Sequence, residues 1–461
     1  MEIVVIGGGV GGLTAALALA QGGHRVQVLE RAPRFAQPGP GLRLAPNATA
    51  ALSRLGLLDQ VLDLGSRPRR AVLRDLGSGA ELAELTLGAP LTAHYGNPYV
   101  VVGRADLLSL LADACVDADV ELRPGRDVTS VDQSHFASSV MGGPVVACAG
   151  GQVYAADVVL AADGSPSVVR ALLGGGEPSG DGWAAYRATV PADALAGGTA
   201  GDEVVAWTGP DAHFTQYPVR IGEVYEQVAV FRSHLYPLTG PSAAAGPDSL
   251  GGPSPLGGRS SPAGRSSPAG PSSPAGPSSP VGTASPGGAG QGSGDGAWGG
   301  PEELDDAFCW AAEPVRAAVS QLRRDRCWRM LDRVPPHSWA ADRVALLGDA
   351  VHPMPAYLAQ AACQAIEDAG ALAETLGDCP APPDVPAALA AYQARRAPRA
   401  LRVSRARQVW EYWPLPHRQA DDYAASDWLY APLSASPGVR VQGGLRRTRL
   451  LYGSSPFSGS V

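Results

Sequence analysis

Gly7, Gly9 and Gly12 stand in the spacing G-x-G-x-x-G, directly after the run Ile3-Val4-Val5-Ile6 and before an Ala/Leu-rich stretch. A turn of this kind suits a pyrophosphate. The first glycine permits the tight turn, the second lets backbone approach the phosphates, and the third lets a helix pack close to the strand. The phosphates then sit on the helix N-terminus, where unpaired N–H groups and the helix dipole favour negative charge. Glu30 closes the next apolar run, Val26-Gln27-Val28-Leu29. It lies where a carboxylate accepts a hydrogen bond from a ribose hydroxyl. Two more acids follow apolar runs: Asp163 in Asp163-Gly164, after Val158–Ala162, and Asp349 in Gly348-Asp349, after Val344–Leu347. Singly, an Asp-Gly pair is an ordinary turn. If the three strands are parallel in one sheet, their tips converge on the edge where doubly wound sheets bind ligands.

The elements that must hold these groups are also readable. Strand, helix and strand close within about 30 residues, as a βαβ unit requires. Asn47–Leu64 and Asp106–Asp119 have helical apolar spacing, Arg70–Leu87 alternates as strands, and Val145–Val159 suggests two more. Trp183–Val190, Glu203–Trp207, His213–Arg220 and Val224–Arg232 alternate at period two with no helices between them, which predicts an antiparallel sheet. Pro301–Arg324 looks helical, an Ala-rich helix is expected from Leu358 to Leu376, and helices continue from Val385 through Trp410. Residues 240–300 are almost all Pro, Gly, Ser and Ala, with Ser-Ser-Pro-Ala-Gly recurring at Ser260–Gly264, Ser266–Gly270 and Ser272–Gly276. That composition cannot bury enough apolar surface to offset chain entropy, so a disordered insertion is expected.

The 461 residues suffice for two or three domains. A formal net charge of −8 argues against a nucleic-acid binder. Six cysteines without regular spacing suggest reduced thiols in a cytoplasmic protein. No apolar run reaches a membrane span, and the N-terminus lacks a signal-type basic region. No metal-ligand set is assigned.

Taken together, the motifs carry a specific resemblance. The chain resembles the group A flavoprotein aromatic hydroxylases, typified by p-hydroxybenzoate and salicylate hydroxylases. Gly7–Gly12, Asp163-Gly164 and Gly348-Asp349 with His352-Pro353-Met354 occur in the family's order, and Arg104-Ala105-Asp106-Leu107-Leu108 resembles its R-x-D-L helix start. Coverage runs from Met1 to Arg399, the insertion excepted. Trp183–Arg187 and Gly209-Pro210…His213…Tyr217-Pro218-Val219 look most like the salicylate, 3-hydroxybenzoate and 6-hydroxynicotinate branch.

The resemblance implies an α/β fold with a Rossmann-type FAD-binding domain of glutathione-reductase type, a β-rich substrate domain and C-terminal helices. The FAD domain is expected over 1–70, 96–180 and 330–400, the substrate domain over 71–95, 181–239 and 301–329, and a helical region and tail over 401–461. It implies FAD as cofactor, NADH or NADPH as co-substrate, and a small aromatic substrate hydroxylated with O2 through a flavin C4a-hydroperoxide. Gly7, Gly9 and Gly12 would hold the pyrophosphate, Glu30 the adenosine ribose with Arg31 nearby, and Arg104 the pyrophosphate or ribityl region. Val128 would meet the adenine through backbone. Gly348 and Asp349 would serve the ribityl chain, and Asp163 both FAD and the nicotinamide cofactor. Leu358, Ala359 and Gln360 would bring helix N–H groups to the flavin pyrimidine, whose reduced form is anionic.

On the substrate side, His213 and Tyr217 lie four apart on a predicted strand and so point to one face. Histidine can accept a phenolic proton near neutral pH. Tyr217 could bond a substrate carboxylate or hydroxyl, and Arg187, on another strand of that sheet, could pair with a carboxylate. Three departures from the family pattern stand out. Ala356 and Ala361 replace a pocket residue and a glycine, and Arg43 stands where neutral residues or histidine are common. If the replaced glycine had a positive φ, Ala361 would cost about 1 kcal/mol or more. Two rival readings are an FAD reductase, dehydrogenase or halogenase on this fold, and a flavin-binding protein with degraded chemistry. No W-x-W-x-I-P segment of the halogenase kind is present.

Overall fold

Ile3, Val4, Val5 and Ile6 are all buried, as a central strand covered on both faces demands. The computed structural model describes residues 1–35, 39–133, 143–165, 167–173, 179–196, 201–234, 300–332, 335–354, 359–377, 382–405, 423 and 426–432. Strand Glu2–Ile6 sits in a six-stranded sheet whose order is Ala340–Ala341, Val344–Leu346, Val158–Ala161, Glu2–Ile6, Arg25–Glu30 and Glu121–Pro124. All pairings are parallel except the outermost one at Ala340–Ala341. Ile6 pairs with Ala161, and Ala161 with Leu346. The tips carrying Gly7, Asp163 and Asp349 therefore lie side by side. Helix Val10–Gln21 covers this sheet and packs on helix Ala361–Gly377. Gly11 permits that approach, since a Cβ there would stand 3.1 Å from the Ala365 Cβ. A three-stranded meander (Val128–Asp132, Val145–Cys148, Val153–Ala155) leads back into the sheet.

The second sheet has seven strands, in the order Trp328–Asp332, Ser179–Pro191, Val224–Arg232, Ala212–Val219, Glu203–Thr208, Arg70–Asp75 and Glu81–Thr86. It departs from the wholly antiparallel expectation at one seam, where Glu203–Thr208 runs parallel to Arg70–Asp75. One face is sealed by helices Pro301–Phe308 and Glu313–Val319, whose Leu304, Phe308 and Val315 pack on Tyr186, Trp207, Phe214 and Phe231. The other face carries polar groups.

Two long helical expectations divide. Asn47–Leu64 becomes Pro46–Arg54 and Leu58–Leu64, broken at Gly56, where φ is +77°. Pro301–Arg324 breaks before Glu313-Pro314, as proline favours a first helical turn. Helix Val385–Arg405 keeps its expected start. Ala356, Leu358, all of the 240–300 insertion but Gly300, and most of the 401–461 region lie outside the described residues. Among the described residues no helix is long and apolar enough to cross a membrane.

Candidate active site

The glycine turn is built as its stereochemistry requires. Gly7 has a φ of +104°, and a Cβ there would lie 2.3 Å from the Ala162 carbonyl oxygen. At Gly12 a Cβ would lie 2.0 Å from the Gly7 oxygen, so the helix can touch the strand only through glycine. Gly9 differs: a Cβ would meet nothing within 4 Å. Gly9 is also the N-cap of helix Val10–Gln21, with no side chain capping its N–H groups. An uncapped helix start opening on free space is the cradle a phosphate needs. Glu30 stands at its side and accepts hydrogen bonds from the N–H groups of Gly8 (2.6 Å) and Ala32 (2.8 Å). Arg31 beside it is exposed, and Val128 is buried at the start of the meander.

The third tip forms the opposite wall. Gly348, at φ +60°, donates its N–H to Asp368 (2.9 Å). Asp349 is open to solvent yet surrounded by protein, as a group lining a cleft should be. Burial raises its pKa, against the opposing pull of His352 and Arg104. Arg104 begins helix Arg104–Asp117, and its side chain lies against Gly39. Gly9, Arg104 and Asp349 thus offer backbone donors, a cation and a carboxylate, a set that fits a diphosphate and a polyhydroxy chain. Asp163 is used differently. Its carboxylate accepts from Ser167 Oγ (2.7 Å) and the Val168 N–H (2.8 Å), capping the next helix, and burial raises its pKa. Arg170 from that helix donates to the carbonyls of Ala350 and Val351, each at 3.1 Å, tying two motifs together.

Gln360 is buried and accepts from Asn47 (3.3 Å) and Gln364 (3.1 Å). The departure at Ala361 has no backbone cost of the kind expected. Ala361 opens helix Ala361–Gly377, and the positive φ falls at Ala359 (+53°).

Sheet register places all three substrate-side candidates on one face. Ala185, Val230 and His213 form one row across three strands. Arg187, Val228 and Thr215 form the next, and Thr189, Glu226 and Tyr217 the third. Directly opposed residues share a face, so Arg187 lies between His213 and Tyr217. Burial, and then the charge of Arg43, hold the His213 pKa down to about 4. Its ring lies 5.7 Å from that of Trp183. Burial lowers the Arg187 pKa, and its guanidinium stands 5.6 Å from the Trp328 ring centre. Its Nε has no hydrogen-bond partner among the described residues. The Tyr217 hydroxyl donates to the Gly41 carbonyl (3.1 Å). Its proton is therefore engaged, and toward a ligand it is an acceptor.

Arg43 points inward, its guanidinium 5.1 Å from the centre of the Tyr217 ring. Glu226, which sequence reasoning missed, accepts from Thr189 Oγ1 (2.8 Å) and from the Gly41 N–H. Burial pushes its carboxyl up to about 7, despite Thr189 and Arg187. Between its ordinary 4.5 and about 7, the folded state keeps a proton that the unfolded chain has lost, so stability falls as pH rises. Glu226→Gln should therefore gain melting temperature over the parent from about pH 5 to about pH 8, with the gap closing on the acid side. A gap that stays constant across pH would show an ordinary carboxylate there.

Helix Ala361–Gly377 carries a second group that was not foreseen. Asp368, fully buried, accepts from His352 Nε2 (2.6 Å), Gly348 N–H and Arg396 Nε (2.7 Å). Arg396 also pairs with Glu367, which Arg399 engages in turn at 2.7 Å. The signal was present: Gln364, Glu367 and Asp368 share one face of an Ala-rich helix, and Arg396 and Arg399 are three apart on the next.

Residues 1–215 and 308–407 match the family described as FAD binding domain. The chain is 32% identical to 3-amino-4-hydroxybenzoate 2-monooxygenase of Streptomyces cremeus, over 95% of this chain and 96% of that protein. It is 28% identical to 3-hydroxybenzoate 6-hydroxylase of Klebsiella oxytoca, over 85% of this chain and 83% of that one. Among solved structures, an HpxO variant of Klebsiella pneumoniae complexed with FAD superposes with a TM-score of 0.64 at 25% identity, covering 88% of this chain and 87% of the other.

Proposed function

The chain belongs to the FAD-binding-domain family, among the group A flavoprotein aromatic hydroxylases, and from that premise we propose that its substrate is a small aromatic acid bearing a ring hydroxyl. The carrying observation is the row order on the substrate sheet: His213, Arg187 and Tyr217 on one face, with Arg43 reaching in beside them. Two curated relatives are named for ring hydroxylation of hydroxybenzoates, which supports the same substrate class.

Gly7, Gly9, Gly12 and Arg104 would hold the FAD diphosphate, Glu30 the ribose and Asp349 the ribityl chain. Bound FAD supplies the electron transfer from NADH or NADPH and the activation of O2, which no side chain can provide. The chain's own groups then bind, orient and keep the site dry. Arg187 meets the substrate carboxylate, because a cation packed on Trp328 with an unengaged Nε gains most from an anion. Neutral His213 accepts a hydrogen bond from the ring hydroxyl, which draws the proton partly away from the oxygen and raises electron density at the neighbouring ring carbons. Trp183, Trp328, Val228, Val230 and Met330 form one apolar cluster on this face and exclude water.

The test is a panel of hydroxylated benzoates and nicotinates scored for stimulated NAD(P)H oxidation, O2 uptake and hydroxylated product. No stimulation by any member would overturn the reading. His213→Ala should lower hydroxylated product per NAD(P)H consumed by about 10²-fold or more, with FAD content unchanged. With the imidazole at about 4, kcat/KM should stay level through neutral pH and fall only as His213 protonates. Equal coupling in the alanine variant would remove His213 from the chemistry.

A further inference from the structure

We propose that Tyr430, carried by a C-terminal turn, seals a corner of the substrate chamber together with Arg43 and Tyr99, and is a specificity-determining residue for the ring substituents admitted. The inference rests on the hydroxylase reading above and deepens it. The match to the FAD-binding family ends at residue 407, so this segment lies beyond the shared domain.

Two kinds of contact fix the turn. Arg399, already paired with Glu367, donates to the carbonyls of Trp428 (2.8 Å), Leu429 (2.9 Å) and Ala431 (3.2 Å). Asp427 accepts from the Tyr95 hydroxyl at 3.0 Å and lies 2.9 Å from His94 Nε2. So held, Tyr430 is 6% exposed, with its ring edge-on to Tyr99 at 6.5 Å and to Tyr95 at 6.1 Å. Tyr99 is as deeply buried, at 7% exposure.

Arg43 links this corner to the site. Its guanidinium lies over Tyr217 on the substrate sheet, and its carbonyl accepts from Cys363 Sγ (3.4 Å) in the first turn of helix Ala361–Gly377. Strand Leu42–Leu44 therefore bridges the cofactor helix and the substrate sheet. Leu42–Leu44 pairs antiparallel with Val100–Val102, Arg43 opposite Val101, so Tyr99, two residues before Val101, is a diagonal neighbour of Arg43, and Tyr430 stands edge-on to Tyr99. Arg43, Tyr99 and Tyr430 thus follow one another from the substrate sheet to the C-terminal turn, a cation followed by two phenols. This corner suits a hydrogen-bond-accepting ring substituent and rejects bulk.

The experiment measures equilibrium binding of hydroxybenzoates and amino-hydroxybenzoates of increasing ring substitution to the holoenzyme, read from the flavin absorbance. Tyr430→Phe should keep full FAD content and raise the dissociation constants about tenfold, the loss of one hydrogen bond at a charged corner. Tyr430→Ala should also shift the ranking toward bulkier rings by about 10-fold or more. Wild-type constants and ranking in both variants would overturn the inference while leaving the hydroxylase reading intact. If Tyr430→Ala fails to hold FAD, unchanged constants in Tyr430→Phe overturn it alone. A wild type that binds no member of the panel sinks both readings together.

Discussion

Gly12→Ala is expected to yield protein without bound FAD, whereas Gly9→Ala should fold normally and lose only cofactor affinity. The two glycines share a motif but not a constraint. A Cβ at Gly12 meets the Gly7 carbonyl oxygen at 2.0 Å, and neither a Cβ fixed to its Cα nor a backbone oxygen can step aside. The helix must then lift from the strand, carrying its N–H groups off the phosphate position, at an overpacking cost of about 1–3 kcal/mol or more. Gly7→Ala joins this class, because its φ of +104° and the Ala162 oxygen at 2.3 Å forbid a side chain twice over. At Gly9 the added methyl meets nothing within 4 Å, so the apoprotein is undisturbed and the methyl enters the space a phosphate would fill. FAD affinity should fall about tenfold or more, the cost of holding a charge-assisted hydrogen bond away from its donor. Flavin absorbance per protein and melting of the apoprotein separate the cases. A Gly9→Ala protein binding FAD as tightly as the parent would remove the diphosphate from this turn.

Asp368→Ala should cost about 3–5 kcal/mol of folding free energy, the usual penalty for stripping one partner from a buried ion pair. Asp368 serves His352, Gly348 and Arg396 at once, and His352, Asp368 and Arg396 are all fully buried. Burial alone would raise its carboxyl, but the charges of His352 and Arg396 and their hydrogen bonds together outweigh it and hold the pKa below 3.8. A depressed carboxylate contributes stability that is complete above its unfolded pKa and lost as pH falls through the folded one. The cost of Asp368→Asn should therefore be largest at neutral pH and shrink below about pH 4, as read by denaturant melts. Asp368→Ala also leaves the Gly348 N–H that sets the Gly-Asp loop without its acceptor, so in that variant FAD affinity should fall with stability. A cost independent of pH would show that Asp368 acts by packing and not by charge.

What could be read in the chain beforehand divides along a physical line. Gly7, Gly12 and the strand tips at Asp163 and Asp349 follow from backbone stereochemistry and from strand period, both of which act over a few residues. The common face of His213 and Tyr217 follows from the same period of two, and register with Val224–Arg232 then set Arg187 between them. Local rules do not say what a side chain does once its element is placed. Asp163 stands at its expected tip, yet its oxygens cap the following helix. Tyr217 faces the site, yet its proton goes to Gly41, a residue distant in sequence. The left-handed backbone before helix Ala361–Gly377 falls on Ala359 and spares Ala361.

The amino-acid order determined the dinucleotide unit, the two-sheet division and the face of the substrate strands, since each rests on short-range periodicity and on the absence of a Cβ. Tertiary structure alone decided that Arg43 turns inward, that Glu226 lies beside Tyr217, that Asp368 and Arg396 meet, and that Tyr430 packs edge-on to Tyr99. Those pairings join residues far apart along the chain, and only burial, by removing water as their alternative partner, makes them necessary.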